Sequence, residues 1–128
     1  MKQIRIAVLA GVFIALSVVL SGCMNSAGFE TLKASDLQKM LNSGEKFSLV
    51  DIREASDYKR GHINAAINIP MSKFEENYTQ LKPDSKVVLI CYTGHTSQAA
   101  AQFLLKKGFT KVSSVEGGMD RWSGPVTK

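Results

Sequence analysis

The feature that most constrains the fold is an apolar strand that ends in a cysteine. Residues 87–90 are four consecutive apolar residues, which is typical of a strand covered on both faces. Cys91 follows, and then a loop that contains Gly94. A helix is predicted from Ser97 to Lys107, with Thr96 or Ser97 capping its start. Cys91 is therefore predicted between the carboxyl end of a buried strand and the amino end of a helix.

This junction favours a negative charge at Cys91, because free backbone N–H groups and the helix dipole point toward it. The thiolate is the nucleophilic form of cysteine, so Cys91 is interpreted as a nucleophile. The alternative is a structural cysteine packed in the core, since free cysteines are often buried. The position at a strand end, before a loop with a glycine, favours the functional interpretation.

Residues 1–22 have the layout of a secretory signal peptide. Lys2 and Arg5 precede an apolar run from Ile6 to Leu20. That run is about 15 residues long, shorter than the roughly 20 that span a bilayer as a helix. The sequence Leu-Ser-Gly-Cys at residues 20–23 resembles the lipobox of bacterial lipoproteins, which implies a diacylglyceryl group on Cys23 and cleavage just before it. The alternatives are an ordinary signal peptide or an uncleaved membrane anchor.

The chain is therefore predicted to have a signal peptide over residues 1–22, a lipidated tether over residues 23–28 and one domain over residues 29–128. Removing the signal peptide takes away two basic residues, so the formal net charge of +5 would fall to +3. Such a mild charge, without a basic stripe interleaved with aromatic residues, argues against nucleic acid as a partner. The predicted location is outside the cytoplasm, at a bacterial membrane held by the lipid.

The cysteine count limits the chemistry. If Cys23 carries lipid, Cys91 is the one thiol that remains, and it has no partner in the same chain for a disulfide or for resolving an intermediate. The sequence has no C-x-x-C pattern, which disfavours a zinc site and thioredoxin-type chemistry. We predict no metal site.

Short strands alternate with helices along the rest of the domain. Strands are predicted at 29–33, 47–52, 66–69, 87–90 and 111–115. Besides the helix after Cys91, helices are predicted at 34–41, with Ser35 as its cap, at 54–59 and at 72–80. A last half-turn or helix is predicted at 119–122. This alternation predicts an α/β fold in which a parallel sheet has helices on both faces. Sites in such sheets lie at the carboxyl ends of the strands, where Cys91 is predicted to be.

Three ordered blocks of the sequence resemble the rhodanese domain family. The blocks are Leu49–Glu54 followed by Tyr58 and Gly61–Pro70; the loop Cys91–Ser97; and Gly108-Phe109, Val112, Val115, Gly117-Gly118 and Trp122. The resemblance covers about residues 30 to 124 of the chain. It implies a rhodanese-like fold with a sheet of five parallel strands.

The resemblance also implies a sulfurtransferase. Cys91 would take the outer sulfur of a donor such as thiosulfate or a persulfide, including the persulfide of a partner protein, and pass it to a thiol or to cyanide. Family members use neither a metal nor an organic cofactor. The residues carried over as substrate-binding are Tyr92, Thr93, Gly94, His95, Thr96 and Ser97, whose backbone N–H groups would surround the persulfide. Arg53, predicted at the rim of the site, is a further candidate for contact with the substrate.

Thr96 departs from the pattern of many family members, which place an arginine there. A threonine hydroxyl donates one uncharged hydrogen bond, whereas arginine offers a bidentate charged pair, so tight binding of thiosulfate is not expected. A second hypothesis is a non-catalytic rhodanese-like module that binds a partner or senses sulfur or redox state. A cysteine phosphatase is disfavoured, because its loop needs an arginine for phosphate and neither Thr96 nor Ser97 is one.

Several other polar and aromatic residues are interpreted as supporting the fold. His62 is predicted to hydrogen-bond near a turn, Asp51 and Arg53 to pair at the rim, and Trp122 to fill the core. His95 is expected to face solvent. For Tyr92 two interpretations stay open, a wall of the pocket or a solvent-facing ring.

Overall fold

The computed structural model of the protein describes residues 28–128. The predicted signal peptide, the predicted lipidation site Cys23 and all of the predicted tether except Gly28 lie outside the described residues. Between residues 28 and 128, no helix has both the length and the apolar character needed to cross a membrane.

Five strands alternate with five helices along residues 28–128. The strands are β1 (Glu30–Leu32), β2 (Ser48–Asp51), β3 (Ala66–Asn68), β4 (Val87–Ile90) and β5 (Val112–Val115). The helices are α1 (Ala34–Ser43), α2 (Ala55–Arg60), α3 (Phe74–Asn77), α4 (His95–Lys106) and α5 (Gly118–Arg121), and 3-10 turns at Met71–Lys73 and Tyr78–Gln80 flank α3. Each predicted element is present, with ends that differ by one or a few residues.

The strands form one parallel sheet in the order β1-β5-β4-β2-β3. Strand β4 is central, and all four of its residues are fully buried, as the apolar run predicted. In the register, Leu89 of β4 lies between Val50 of β2 and Ser114 of β5. The predicted fold class, an α/β fold with five parallel strands and helices on both faces, is confirmed.

Two apolar clusters cover the two faces of the sheet. On one face Leu89 and Val50 pack with Ala101 and Leu104 of α4 and with Phe74 of α3. On the other face the alternate strand residues pack with Leu37 of α1, and Tyr58, Met119 and Trp122 border this second cluster. Helices therefore lie on both faces and leave the carboxyl ends of β2, β3 and β4 open at one edge.

The predicted start of α4 and the predicted caps of α1 and α4 are wrong, whereas α1 begins at Ala34 as predicted. Helix α4 begins at His95 rather than Ser97, and its N-cap is Gly94, which has a φ of +90° and makes no side-chain cap hydrogen bond. The Ser97 hydroxyl instead lies inside the first turn and donates to the Gly94 carbonyl. Helix α1 is preceded by Lys33 rather than capped by Ser35, because the Asp36 carboxylate accepts the Lys33 N–H at 3.2 Å.

Candidate active site

Cys91 lies at the floor of a cavity of about 210 Å³ at the open edge of the sheet. Segments that follow three neighbouring strands form this cavity. They contribute Ile52, Arg53, Glu54 and Asp57 after β2, Met71 after β3, and Cys91, Tyr92, Thr93 and Thr96 after β4. The thiol is almost completely buried, and this cavity gives a reacting molecule access to it. The topology therefore places Cys91 where ligands bind in parallel sheets, as the sequence predicted.

The Cys91 sulfur is held by hydrogen bonds within its own loop. The Gly94 N–H donates to Sγ at 3.1 Å, and Sγ lies 3.5 Å from the Ser97 hydroxyl oxygen. Of the N–H groups between Tyr92 and Ser97, the described structure records this one bond to the sulfur. A backbone donor aimed at Sγ stabilises negative charge there, which suits a thiolate.

Helix α5 fixes the back of the Cys91 loop. The Met119 N–H donates to the Cys91 carbonyl at 2.7 Å, and the Asp120 N–H donates to the Tyr92 carbonyl at 2.9 Å. Gly118 allows this approach, because a Cβ at that position would lie 2.2 Å from the Cys91 carbonyl oxygen. The loop is thus positioned by a contact from residues 27 or more positions later in the chain.

Asp51 and Arg53 form a buried ion pair beside the cavity. Arg53 Nη2 lies 2.7 Å from Asp51 Oδ2, Nε donates to both carboxylate oxygens at 3.0 and 3.1 Å, and Nη2 also donates to the Gly61 carbonyl at 2.7 Å. Burial by itself lowers the pKa of Arg53, but the hydrogen bond and the charge of Asp51, followed by those of Tyr92, outweigh it and raise that pKa above its ordinary value. Arg53 therefore stays charged, and its guanidinium is largely committed to Asp51 and Gly61.

Tyr92 forms one side of the cavity mouth. Its ring is 43% exposed, and the Arg53 guanidinium lies 5.1 Å from the ring centroid. The hydrogen bond from the Tyr92 hydroxyl, followed by the hydrogen bond from Arg60, lowers the pKa of Asp57. Of the two interpretations left open by the sequence, both hold in part, since the ring lines the cavity and also meets solvent.

The predicted site residues separate into three groups. Tyr92, Thr93, Thr96 and Arg53 line the cavity with Cys91. Gly94 and Ser97 lie beneath the sulfur and contact it from the protein side. His95 is exposed at the first position of α4 and is absent from the cavity lining, which agrees with the expectation that it faces solvent.

His62 and Trp122 support the fold. The His62 ring stacks on Tyr58 with centroids 3.6 Å apart, and Nδ1 lies 2.8 Å from the Tyr58 carbonyl oxygen. Burial and the negative charge of Asp51 raise the pKa of the Tyr58 hydroxyl, which donates to the Ala66 carbonyl at 2.6 Å. Trp122 is half-buried against the second cluster, so it borders the core instead of filling it.

Sequence reasoning missed several residues of the site. Glu54, Asp57 and Met71 line the cavity, and Ser114 of β5 contacts Ser97 from below. Pattern alone does not find them, because these contacts join segments far apart in sequence. A polar pair, Ser113-Ser114, inside an otherwise apolar strand was the one available signal.

A larger cavity of about 430 Å³ lies apart from Cys91, between the start of α1 and the turn before α5, and it contains no nucleophilic cysteine. Within residues 28–128, no group of three or more His, Cys, Asp or Glu side chains is placed to hold a metal ion.

Comparisons with known proteins agree with this geometry. The family model described as "Rhodanese-like domain" matches residues 33–125. YqhL of Bacillus subtilis (strain 168), an uncharacterized protein, is 36% identical over 81 residues, which are 63% of this chain and 64% of that protein. YrkF of the same organism, provisionally named as a sulfur carrier protein, is 29% identical over 100 residues, 78% of this chain and 54% of that protein. The chain thus spans less than two thirds of the length of these curated relatives.

Solved structures share the fold. The crystal structure of a rhodanese-related protein from Thermoplasma volcanium is 33% identical with a TM-score of 0.69, and the match covers 77% of this chain and 98% of that one. A crystal structure from Staphylococcus saprophyticus subsp. saprophyticus is 26% identical with a TM-score of 0.72, and the match covers 78% of this chain and 100% of that one.

Proposed function

Because the chain belongs to the rhodanese-like domain family, we propose that it is a sulfurtransferase that carries a sulfane sulfur on Cys91. The observation that carries the proposal is the placement of the thiol. Cys91 is buried at the floor of a cavity at the end of the central strand, with the Gly94 N–H aimed at its sulfur at 3.1 Å. This arrangement stabilises a thiolate and lets a sulfur donor reach it from the cavity.

The transfer balances without an external oxidant or reductant. The Cys91 thiolate attacks the outer sulfur of the donor, a new S–S bond forms, and the donor's own S–S bond breaks. The electron pair of the broken bond leaves with the donor remainder, which is sulfite when thiosulfate is the donor. An acceptor thiolate or cyanide then attacks the outer sulfur, and Cys91 leaves as the thiolate.

A turnover screen of the full chain tests this proposal. Donors are thiosulfate, a small organic persulfide and polysulfide, and each is paired with cyanide and with a small thiol as acceptor. The proposal expects Cys91-dependent turnover with at least one pair. If no pair gives turnover above that of the Cys91→Ser variant, a non-catalytic module that binds or senses is the better description.

The charges of the cavity argue against thiosulfate as the preferred donor. Two carboxylates, Glu54 and Asp57, line the cavity, and the one cation among its lining residues, Arg53, is paired with Asp51. Thr96 adds no charge. A dianionic donor therefore gains little from this cavity, and we propose a persulfide, small or on a partner protein, as the donor.

Thr96→Arg is expected to lower the KM for thiosulfate by about 10- to 100-fold, since a charge-assisted hydrogen bond contributes about 1.5–3 kcal/mol. The gain for a small organic persulfide, which is less anionic than thiosulfate, should be much smaller. Steady-state kcat/KM for both donors checks this, with Thr96→Gln as a control that adds length without charge. Equal gains for both donors, or a wild-type KM for thiosulfate already in the low micromolar range, would contradict it.

The proposed location is the outer side of a bacterial membrane, with lipid on Cys23. In this proposal, Cys23→Ala releases the protein from membranes or leaves an uncleaved precursor, because stable anchoring depends on acyl chains that contribute about 0.8 kcal/mol per buried CH₂. Membrane fractionation and chain length on a gel check this, with Cys91→Ser as a control that stays anchored. A Cys23→Ala chain of mature length in the membrane fraction would show that the lipobox interpretation is wrong.

A further inference from the structure

Hydrogen-bond contacts link two buried serine hydroxyls to the Cys91 sulfur. Ser97 of α4 is fully buried, and Ser114 of β5 is 1% exposed. Their oxygens are 2.7 Å apart, and the Ser97 oxygen is 3.5 Å from Cys91 Sγ. Buried hydroxyls must find their hydrogen-bond partners within the protein. Cys91, Ser97 and Ser114 can therefore share their protons in only a few ways.

With Cys91 as a thiol, one arrangement satisfies every group. The Cys91 S–H donates to the Ser97 oxygen, and the Ser97 O–H donates to the Gly94 carbonyl at 3.0 Å. Because the single Ser97 proton is then used, Ser114 must be the donor in the 2.7 Å contact. Ser97 thus donates once and accepts twice.

When the thiol loses its proton to solvent, only the hydrogen bond donated by Ser97 changes. The sulfur becomes an acceptor, and rotation of the Ser97 O–H turns its proton from the Gly94 carbonyl to Sγ. The sulfur then receives two hydrogen bonds, from Ser97 and from the Gly94 N–H at 3.1 Å. Ser114 donates to Ser97 in both states and strengthens the bond that Ser97 makes to the thiolate, since linked hydrogen bonds polarise one another.

We propose that Ser114 is a positioning residue, which donates to Ser97 and so leaves the Ser97 proton free to stabilise the Cys91 thiolate. This role rests on the proposed function, in which the Cys91 thiolate is the form that accepts sulfur. Without the Ser114 hydroxyl, the Ser97 oxygen loses its permanent donor and its proton makes a weaker bond to the sulfur.

Ser113 provides a matched control on the same strand. It is 2% exposed, but its hydroxyl points to the other face of the sheet and donates to Glu30 Oε2 at 3.1 Å. Ser113→Ala and Ser114→Ala therefore remove the same hydroxyl from adjacent buried positions of β5. Only the second change affects the chain of hydrogen bonds that leads to Cys91.

The experiment measures the rate of iodoacetamide alkylation of Cys91 against pH in the full chain, read from the Cys91 peptide by mass spectrometry. For Ser114→Ala, the midpoint of the profile should rise by about 0.5 to 1 pH unit, the equivalent of one ordinary hydrogen bond. Ser113→Ala should keep the wild-type midpoint. Ser97→Ala should raise it at least as much as Ser114→Ala, and adding Ser114→Ala to Ser97→Ala should change nothing further.

Two results would overturn the inference. One is an unchanged midpoint in folded Ser114→Ala, and the other is an equal shift from Ser114→Ala with and without Ser97. If the alanine variant does not fold, Ser114→Thr and Ser114→Val give the same test. Threonine and valine have nearly the same shape, and only threonine carries a hydroxyl. The threonine variant should keep the wild-type midpoint, and equal midpoints for the two would again overturn the inference.

Other titrating groups do not distinguish these variants. The charged and titratable side chains that line the cavity with Cys91 are Arg53, Glu54, Asp57 and Tyr92, and Asp51 pairs with Arg53. His95 and Lys106 on α4 and Asp120 and Arg121 on α5 belong to the neighbouring helices. All are retained in every variant, so a difference between variants reports the hydroxyl. Alkylation also needs no sulfur donor. If the protein transfers no sulfur but the alkylation midpoints shift as expected, only the proposed function is refuted. Sulfur transfer with unshifted profiles would refute the role of Ser114 alone.

Discussion

Cys91→Ser is expected to lower sulfur transfer by at least about 100-fold while the domain stays folded. A serine hydroxyl is not appreciably ionised near pH 7 and does not hold a sulfane sulfur. The fold should tolerate the change, because the smaller oxygen still accepts the Gly94 N–H that now donates to Sγ at 3.1 Å. Steady-state turnover and a thermal unfolding curve of both proteins check the two halves of this prediction.

Turnover above about a tenth of the wild-type value in Cys91→Ser would show that Cys91 is not the sulfur carrier. A large drop in unfolding temperature would make the loss of activity uninformative about chemistry, so Cys91→Ala serves as a second variant that also lacks the nucleophile. Both variants should have the same low turnover, because both lack the thiol nucleophile.

Gly118→Ala is expected to lower turnover by at least about 100-fold without touching the nucleophile, since a displacement of about 1 Å in a catalytic loop has effects of that size. Gly118 has a φ of +51°, and its added Cβ would lie 2.2 Å from the Cys91 carbonyl oxygen and 2.6 Å from the Tyr92 carbonyl carbon. The loop must move away, and the hydrogen bonds from Met119 and Asp120 are then lost. Turnover and the urea-unfolding midpoint are the measurements.

Gly44→Ala is the matched control for backbone strain. Gly44 ends α1 with a φ of +72°, but nothing lies within 4 Å of an added Cβ. Its alanine variant should lose only about 1–2 kcal/mol of unfolding free energy for the left-handed backbone and keep full turnover. If Gly118→Ala behaves like Gly44→Ala, the contact between α5 and the Cys91 loop does not position the nucleophile.

Much of the fold was predictable because its signals are local. The apolar run of β4 predicted a central buried strand, and the glycine and helix formers after it predicted the turn into α4. The alternation of strands and helices then predicted a parallel sheet. In such a sheet sites lie at the carboxyl ends of the strands, so the position of Cys91 followed without knowing which strands are its neighbours.

The exact start of α4 was not predictable from capping preferences. Thr96 and Ser97 are ordinary cap residues, but Gly94 takes the cap position because its left-handed φ lets the loop turn tightly against the backbone of Val115 and Gly117. The Gly94 N–H then bonds the Cys91 sulfur. A tertiary contact therefore overrides a local preference at this position.

The walls of the site were only partly predictable. The loop residues were predicted through the family resemblance and Arg53 as a polar pair with Asp51. Asp57, by contrast, lies on α2 and lines the cavity only through tertiary packing. Ser114 is a strand residue whose importance depends on the register between β4 and β5. Neither contact has a sequence pattern, since both depend on how separate elements pack.

The mass of the Cys91 peptide after donor treatment shows whether Cys91 carries a sulfane sulfur. Full-length protein is incubated with a small organic persulfide, digested without reductant and measured before and after addition of a thiol acceptor. We expect a gain of about 32 Da, one sulfur atom, on the peptide that contains Cys91, and the loss of that gain when the acceptor is added. An unmodified Cys91 peptide, or an added sulfur that the acceptor never removes, would contradict it.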